Sequence, residues 1–350
     1  LYKKQNMSPK NLNVSNKTHK NLLNNLRDKK IFQIYEKFEN LLSLNQNFVV
    51  GVSGGSDSLA LSFLSKIYSI KNSLNSYYFI VDHKLRKNSS TEAQIVKNLL
   101  KKQNISSNIL TWYGKKPISN IQSIARNKRY ELLIKEAKKL NIKTILTGHH
   151  IDDLYENFFI RISRGSGLNG LVSFGEKSQR QNINIVRPLI NFEKNQLNYI
   201  TKKVFKSFIE DPSNKDDKFK RVRIRKLIKN IQEDGLDKNK FLLTIKNLTD
   251  SNDTIKFYVA KNLKNNSFIY KDKRKIILNE KFFNQPHEVT FRSLTEIIKF
   301  VGNKYYSTRG KKIDSIIYKL KGDTKTSSKL TLGNCIIHRV NRSIFVIKEH

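Results

Sequence analysis

Six small and polar residues, Ser53-Gly54-Gly55-Ser56-Asp57-Ser58, stand between the apolar runs Phe48-Val49-Val50 and Leu59 to Leu64. A strand, a glycine turn and a helix start fit that order. The first N–H groups of a helix lack intrahelical partners and carry partial positive charge, so such a junction suits phosphate oxygens. Gly54 and Gly55 let the backbone approach a ligand closely. A plain helix cap made by Ser53 or Ser56 would have similar composition, but the strand before the loop and the Asp-Ser within it favour a nucleotide site. The loop is neither G-x-x-x-x-G-K-[ST] nor G-x-G-x-x-G.

A second group is Gly148-His149-His150-Ile151-Asp152-Asp153-Leu154-Tyr155-Glu156. On a helix, Asp152 and Asp153 each share a face with Glu156. Crowded carboxylates repel unless a cation sits among them, so the segment predicts a metal ion, an ammonium group or both. An acidic first turn favoured by the helix dipole is the plainer reading. Zinc is a weak choice without Cys or H-E-x-x-H. Arg126 and Arg129 fall on one helical face and suit a phosphate clamp, although surface arginines look the same. The turn-rich stretch Asp211 to Asp217 runs into Arg221, Arg223 and Arg225, as a substrate-contacting loop or a solvated linker would.

These groups need a scaffold, and the alternation of patterns supplies one. Residues 1 to 27 read as a polar, basic N-terminal arm. The spacing of Ile31, Ile34, Tyr35, Phe38 and Leu41 predicts an amphipathic helix. Strands follow at Phe48 to Val50, Tyr77 to Val81, near Ile109-Leu110 and at Thr144 to Thr147. Helices are predicted after the glycine loop, over Thr91 to Gln103, over Ile121 to Leu140 and from Ile151. Such α/β alternation implies a doubly wound parallel sheet whose ligands bind at the strands' carboxyl ends, where Ser53, His83 and Gly148 fall. We expect a catalytic domain over 28–225, a basic helical domain over 226–285 and a small α+β C-terminal module over 286–350. In that module Phe291 to Val301 and Ile313 to Lys321 look helical, and Cys335 to Ile337 with Ile344 to Ile347 reads as a hairpin.

The 350 residues carry 67 Lys and Arg against 29 Asp and Glu, a net charge of +38. That excess favours an anionic partner such as nucleic acid, although the chain is also rich in Lys by general bias. Cys335 is the single cysteine, which excludes a disulfide framework and a Cys-based zinc site. No apolar run approaches the roughly 20 residues needed to span a bilayer. The expectation is a soluble cytoplasmic protein with no membrane partner.

The S-G-G-x-D-S pattern resembles the PP-loop of N-type ATP pyrophosphatases, which split ATP into AMP and pyrophosphate while adenylating a substrate. It is joined by V-D-H-x-L-R at Val81 to Arg86, A-R-x-x-R-Y at Ala125 to Tyr130, H-H-x-D-D-x-x-E at His149 to Glu156, and D-x-S-N with a basic row at Asp211 to Arg225. Together these segments resemble the tRNA(Ile)-lysidine synthetase family, closely over residues 48 to 225. The likeness is fainter beyond, where Thr331 to Cys335 is similar to the small C-terminal module of some members. Asn157 and Val222 depart from the Thr and Asn that many members carry.

The resemblance implies a PP-loop ATPase domain that binds ATP through Ser53, Gly54, Gly55, Ser56, Asp57, Ser58, His83 and Gly148, with Mg2+ on Asp57. It implies catalytic roles for Asp57, Arg129, Asp153 and Glu156, free L-lysine held by Asp153 and Glu156, and RNA contacts at Arg221, Arg223 and Arg225. The substrate implied is tRNA(Ile) with a CAU anticodon, whose wobble cytidine is adenylated and then joined to lysine at C2. A homodimer is compatible with this reading. The rival enzyme is a PP-loop tRNA thiolase, which a single cysteine fits poorly. A rival of another class is a non-catalytic basic RNA-binding protein, against which the intact Ser53 to Ser58 loop weighs.

Overall fold

The computed structural model describes residues 19–114, 117–210, 217–218, 220–270, 275–303, 310–322 and 329–349. The chain divides into two compact units, the first ending at Asp237 and the second starting at Lys238.

The first unit begins with a short helix α1 (Lys20–Asn24), a single 3-10 turn and α2 (Lys29–Leu41). The end of the expected N-terminal arm is therefore helical, because Leu22 and Leu26 find places in the core. Asp28 caps α2 by accepting from the N–H groups of Lys30 and Ile31, and the helix buries Ile31, Ile34, Tyr35 and Phe38.

Alternating strands and helices follow: β1 (Phe48–Val52), α3 (Ser56–Lys71), β2 (Ser76–Asp82), α4 (Ser89–Lys102), β3 (Ser107–Thr111), α5 (Ile121–Lys139), β4 (Thr144–Thr147), α6 (Ile151–Ile162) and α7 (Leu168–Leu171). The hairpin β5 (Lys177–Arg180) and β6 (Ile183–Val186) comes next, then α8 (Lys194–Val204) and α9 (Lys220–Glu233). The strand order is β3-β2-β1-β4-β6-β5, parallel except for the edge strand β5. Phe48, Val49 and Val50 are fully buried, as a central parallel strand covered on both faces requires. One face packs on α2, α3 and α8 around Phe38, Phe63 and Phe192; the other packs on Leu133, Ile134 and Ala137 of α5.

Helix α3 is buried nearly all round, so its serines must satisfy themselves locally. Ser62 donates to the Ser58 carbonyl at 2.7 Å and Ser69 to that of Lys66 at 2.9 Å. The order reverses between β1 and β4, which places the carboxyl ends of both strands beside the crevice where ligands bind in such sheets.

In the second unit, α10 (Lys238–Asn266) leads into β7 (Ser267–Ile269) and β8 (Lys275–Leu278), followed by α11 (His287–Val301) and α12 (Gly310–Lys321). The strands β9 (Leu330–Thr331), β10 (Cys335–Val340) and β11 (Ser343–Lys348) complete an antiparallel sheet of order β7-β8-β11-β10-β9. The hairpin expected at the C-terminal end is present, with Ile336 opposite Ile347. In the turn that joins β9 to β10, Gly333 and Asn334 both adopt left-handed φ, which a tight two-residue turn requires. Sequence expectation set a boundary after residue 225, a position inside α9. No described helix is long and apolar enough to cross a membrane.

Candidate active site

The loop between β1 and α3 is organised by one hydroxyl. Ser58 Oγ accepts from the backbone N–H groups of Ser53 and Gly54, both at 3.1 Å, and donates to the Gly55 carbonyl at 2.9 Å. Gly54 sits at φ +85°, and a Cβ there would lie 2.4 Å from Val96. The helix is capped by Gly55 with no side-chain hydrogen bond, so neither Ser53 nor Ser56 is the capping residue. The helix-start amides are left for a ligand. Gly148, after β4, makes the complementary approach: a Cβ there would come within 3.1 Å of the Ser58 backbone.

Around this junction is a cleft of about 260 Å³ whose walls include Ser53, Asp57, Ser58, Arg126, Arg129, Tyr130, Gly148, His149, Asp153 and Arg221. Four separated sequence segments thus meet at one place. Helix α5 supplies the arginines; Arg126 is 5.4 Å from the Tyr130 ring centroid, a cation–π distance. His83 is not on the cleft wall. Both its ring nitrogens are buried without a hydrogen bond, and burial with the nearby Arg129 charge pushes its pKa down to about 4.

Helix α6 begins with His150 as its cap, accepting from the Asp152 N–H at 3.3 Å, while Asp153 accepts from the His150 N–H at 3.0 Å. The Nε2 atom of His150 lies 3.7 Å from both Asp57 and Asp153, so the ring joins the glycine loop to the acidic helix. Burial would raise the Asp153 carboxyl, but His150, His149, the His150 N–H and Arg221 hold it below the ordinary value. His149 points its Nδ1 at Thr147 Oγ1, 3.0 Å away, and burial pushes its pKa down to about 3, so it is neutral.

The carboxylates do find cations, and the protein itself supplies them. Arg225 donates from Nε to Glu156 and from Nη2 at 3.4 Å, while Arg221 lies 3.9 Å from Asp153. Burial raises the Glu156 carboxyl above its ordinary value, with Arg225 opposing the rise. Glu156 is not on the cleft wall. Arg223 donates to the carbonyls of Asp217 and Lys218. Of the arginine row expected on RNA, two members face the carboxylates of α6. The segment Asp211 to Asp216, with Ser213 and Asn214, lies outside the described residues. Val222 is buried, so its departure from the family pattern places an apolar side chain in the core.

One contact had no sequence signal. Lys194, the first residue of α8, donates to Asp57 Oδ1 and Oδ2 at 2.7 and 2.6 Å and to Ser56 Oγ at 2.9 Å. In a chain so rich in lysine, nothing at F-E-K-N-Q sets it apart.

Residues 24–231 match the family model described as a PP-loop domain, so the catalytic unit is of the PP-loop ATP-binding class. A solved structure of the same fold, the U34-tRNA thiolase NcsA from Methanococcus maripaludis, aligns with a TM-score of 0.56 at 15% identity, covering 64% of this chain and 81% of that one. The curated tRNA(Ile)-lysidine synthase of Wolbachia pipientis wMel is 32% identical over 87% of this chain and 71% of its own length. That of Rickettsia felis is 33% identical over 90% of this chain and 74% of its own length. The chain belongs to the tRNA(Ile)-lysidine synthase family.

Proposed function

We propose that this cleft carries out lysidine formation on tRNA(Ile), adenylating the wobble cytidine of the CAU anticodon with ATP and then joining free L-lysine to it. The observation that carries the reading is one cleft lined by Asp57 of the glycine loop, Arg129 of α5 and Asp153 of α6. ATP lies with its phosphates at the N-terminal amides of α3, just past Gly55. The cytosine C2 oxygen attacks the α-phosphorus, and the bond to the bridging oxygen breaks, its electron pair leaving on pyrophosphate. Arg129 neutralises the charge on the adenylated base.

The ε-amine of lysine then attacks C2 and AMP leaves with the C2 oxygen. Only the neutral amine is a nucleophile, so a carboxylate must accept its proton. Asp153, which lines the cleft and is held ionised, suits the binding of an ammonium group, and Glu156, raised by burial, suits the proton once Arg225 releases it. Arg223 and the Lys-rich second unit offer phosphate contacts to the tRNA body.

Magnesium fits Asp57 only as a partner of the nucleotide, because no cluster of three His, Cys, Asp or Glu suitable for a metal occurs among the described residues. One carboxylate plus substrate phosphates is an ordinary magnesium environment, and there the ion would screen phosphate charge. Sulfur transfer is disfavoured by chemistry, since Cys335 is the chain's one cysteine and is buried in β10.

The test supplies ATP, magnesium, labelled lysine and tRNA(Ile) bearing CAU. Lysine incorporation with one AMP and one pyrophosphate per turnover is expected. Pyrophosphate release without lysine transfer would assign another nucleophile, and no ATP cleavage would refute the enzyme reading.

A further inference from the structure

We propose that Lys194 is a catalytic residue that meets the β- and γ-phosphates of ATP and neutralises the departing pyrophosphate. The proposal rests on the adenylation reading above and adds to it a residue outside the glycine loop.

The loop Ser53 to Ser58 contains no lysine or arginine, although a nucleotide triphosphate brings several negative charges to it. Arg126 and Arg129 come from α5, and Arg221 from α9. Among the described residues, Lys194 is the basic side chain that contacts both Ser56 and Asp57. It reaches there from a helix 137 residues away in sequence.

Its placement is built. Helix α8 is fixed in register by a capping box in which Gln196 accepts from the Glu193 N–H at 3.0 Å. Seven residues, two turns, after Lys194 on the same face, the wholly buried Thr201 donates to the Ser56 carbonyl at 2.7 Å. Leu197, Ile200 and Val204 bury the rest of that face in the core shared with α3. Helix α8 is therefore docked on the first residue of the PP-loop helix, and Lys194 is carried to its hydroxyl and carboxylate.

A lysine at the first position of a helix opposes the dipole, so the position is not chosen for helix stability. The side chain remains 42% exposed, within reach of an incoming ligand, whereas Asp57 is 22% exposed. With ATP in place the ammonium group bridges Ser56 and the terminal phosphates. There it meets the negative charge left on pyrophosphate when the P–O bond breaks. The role parallels that of the lysine within Walker-type loops, delivered from a separate helix.

The test compares wild type, Lys194→Met and Lys194→Arg with tRNA(Ile), lysine and magnesium. Pyrophosphate-type product release is followed with ATP and with β,γ-methylene and β,γ-difluoromethylene ATP, whose leaving groups differ in basicity. Lys194→Met should slow release from ATP about 100-fold. Its defect should be largest for the more basic methylene leaving group, and Lys194→Arg should restore part of the rate. A defect within threefold of wild type, or one equal for both analogues, overturns the proposal. So does a Lys194→Met variant that merely saturates at lower magnesium, because Lys194 would then be only a counter-ion of Asp57. Failure of wild type itself to release pyrophosphate would instead refute the adenylation reading.

Discussion

Replacing Arg225 by Ala should cost more stability than replacing its partner Glu156 by Gln, although both changes remove the same ion pair. The Glu156 side chain is 3% exposed while that of Arg225 is 42% exposed. Removing the arginine leaves a carboxylate inside the protein without its hydrogen-bonded partner, with only the more distant Arg221 charge to offset it; removing the carboxylate leaves a guanidinium that water already reaches. Breaking a buried pair in the first sense costs about 3–5 kcal/mol. Water admitted where the exposed guanidinium stood should reduce that to about 2 kcal/mol, against about 1 kcal/mol or less for Glu156→Gln.

The sign with pH follows from the raised Glu156 pKa. Its protonated form is favoured by folding, so this contribution to stability is fully present below the unfolded value of about 4.3 and is lost as pH rises through the folded value. Arg225→Ala removes the interaction opposing the rise, so its penalty relative to wild type should grow from pH 5 to pH 7.5. The double variant Arg225→Ala, Glu156→Gln should regain most of the loss at pH 7.5. Trp112, the chain's only tryptophan, lies in the first unit just after β3, so urea titration followed by its fluorescence reports the relevant unit. Equal penalties for the two single variants, or an Arg225→Ala penalty independent of pH, would refute the account of Glu156 as a buried carboxylate needing its partner.

Gly54→Ala should weaken ATP binding at least tenfold by titration calorimetry, because the residue sits at φ +85° and its Cβ would strike Val96. Ser58→Ala removes the hydroxyl that ties the loop to its helix; a stability loss of about 1–2 kcal/mol and slower pyrophosphate release are expected from urea melts and rapid-quench kinetics. Since His149 has a pKa of about 3 and His83 of about 4, neither should titrate between pH 5.5 and 8. Any limb of the pH–rate profile in that range should persist in His149→Asn; its loss would show that His149 ionises. Binding of tRNA should weaken steeply between 50 and 200 mM salt, by about 10³-fold for some six phosphate contacts, and a flat filter-binding series would contradict the electrostatic platform.

The parallel strands and the phosphate loop were legible because each has a local cause. Phe48 to Val50 and Thr144 to Thr147 are apolar or β-branched runs covered on both faces, and Gly54 takes a backbone conformation that few other residues tolerate. The edge strand β5 was not legible. Lys177-Ser178-Gln179-Arg180 is polar and half exposed, and its turn uses Gln181 and Asn182 at positive φ where a glycine would have announced it. Lys194 and Thr201 were hidden for a different reason: their meaning lies in register against α3, which no pattern within α8 records.

The acidic cluster and the arginine row are each legible in the sequence, but that they face one another is not, except through their spacing. Asp153 and Glu156 are three apart on α6, Arg221 and Arg225 four apart on α9, and antiparallel or parallel packing of two such helices aligns one pair on the other. Helices α6 and α9 do pack together. The cations beside these carboxylates are guanidinium groups of the chain itself, where the sequence pattern had suggested a metal ion or an ammonium group. On the function proposed above, a lysine ammonium that used Glu156 would have to exchange with the guanidinium the protein already holds there, so its binding free energy would be a difference between two ion pairs.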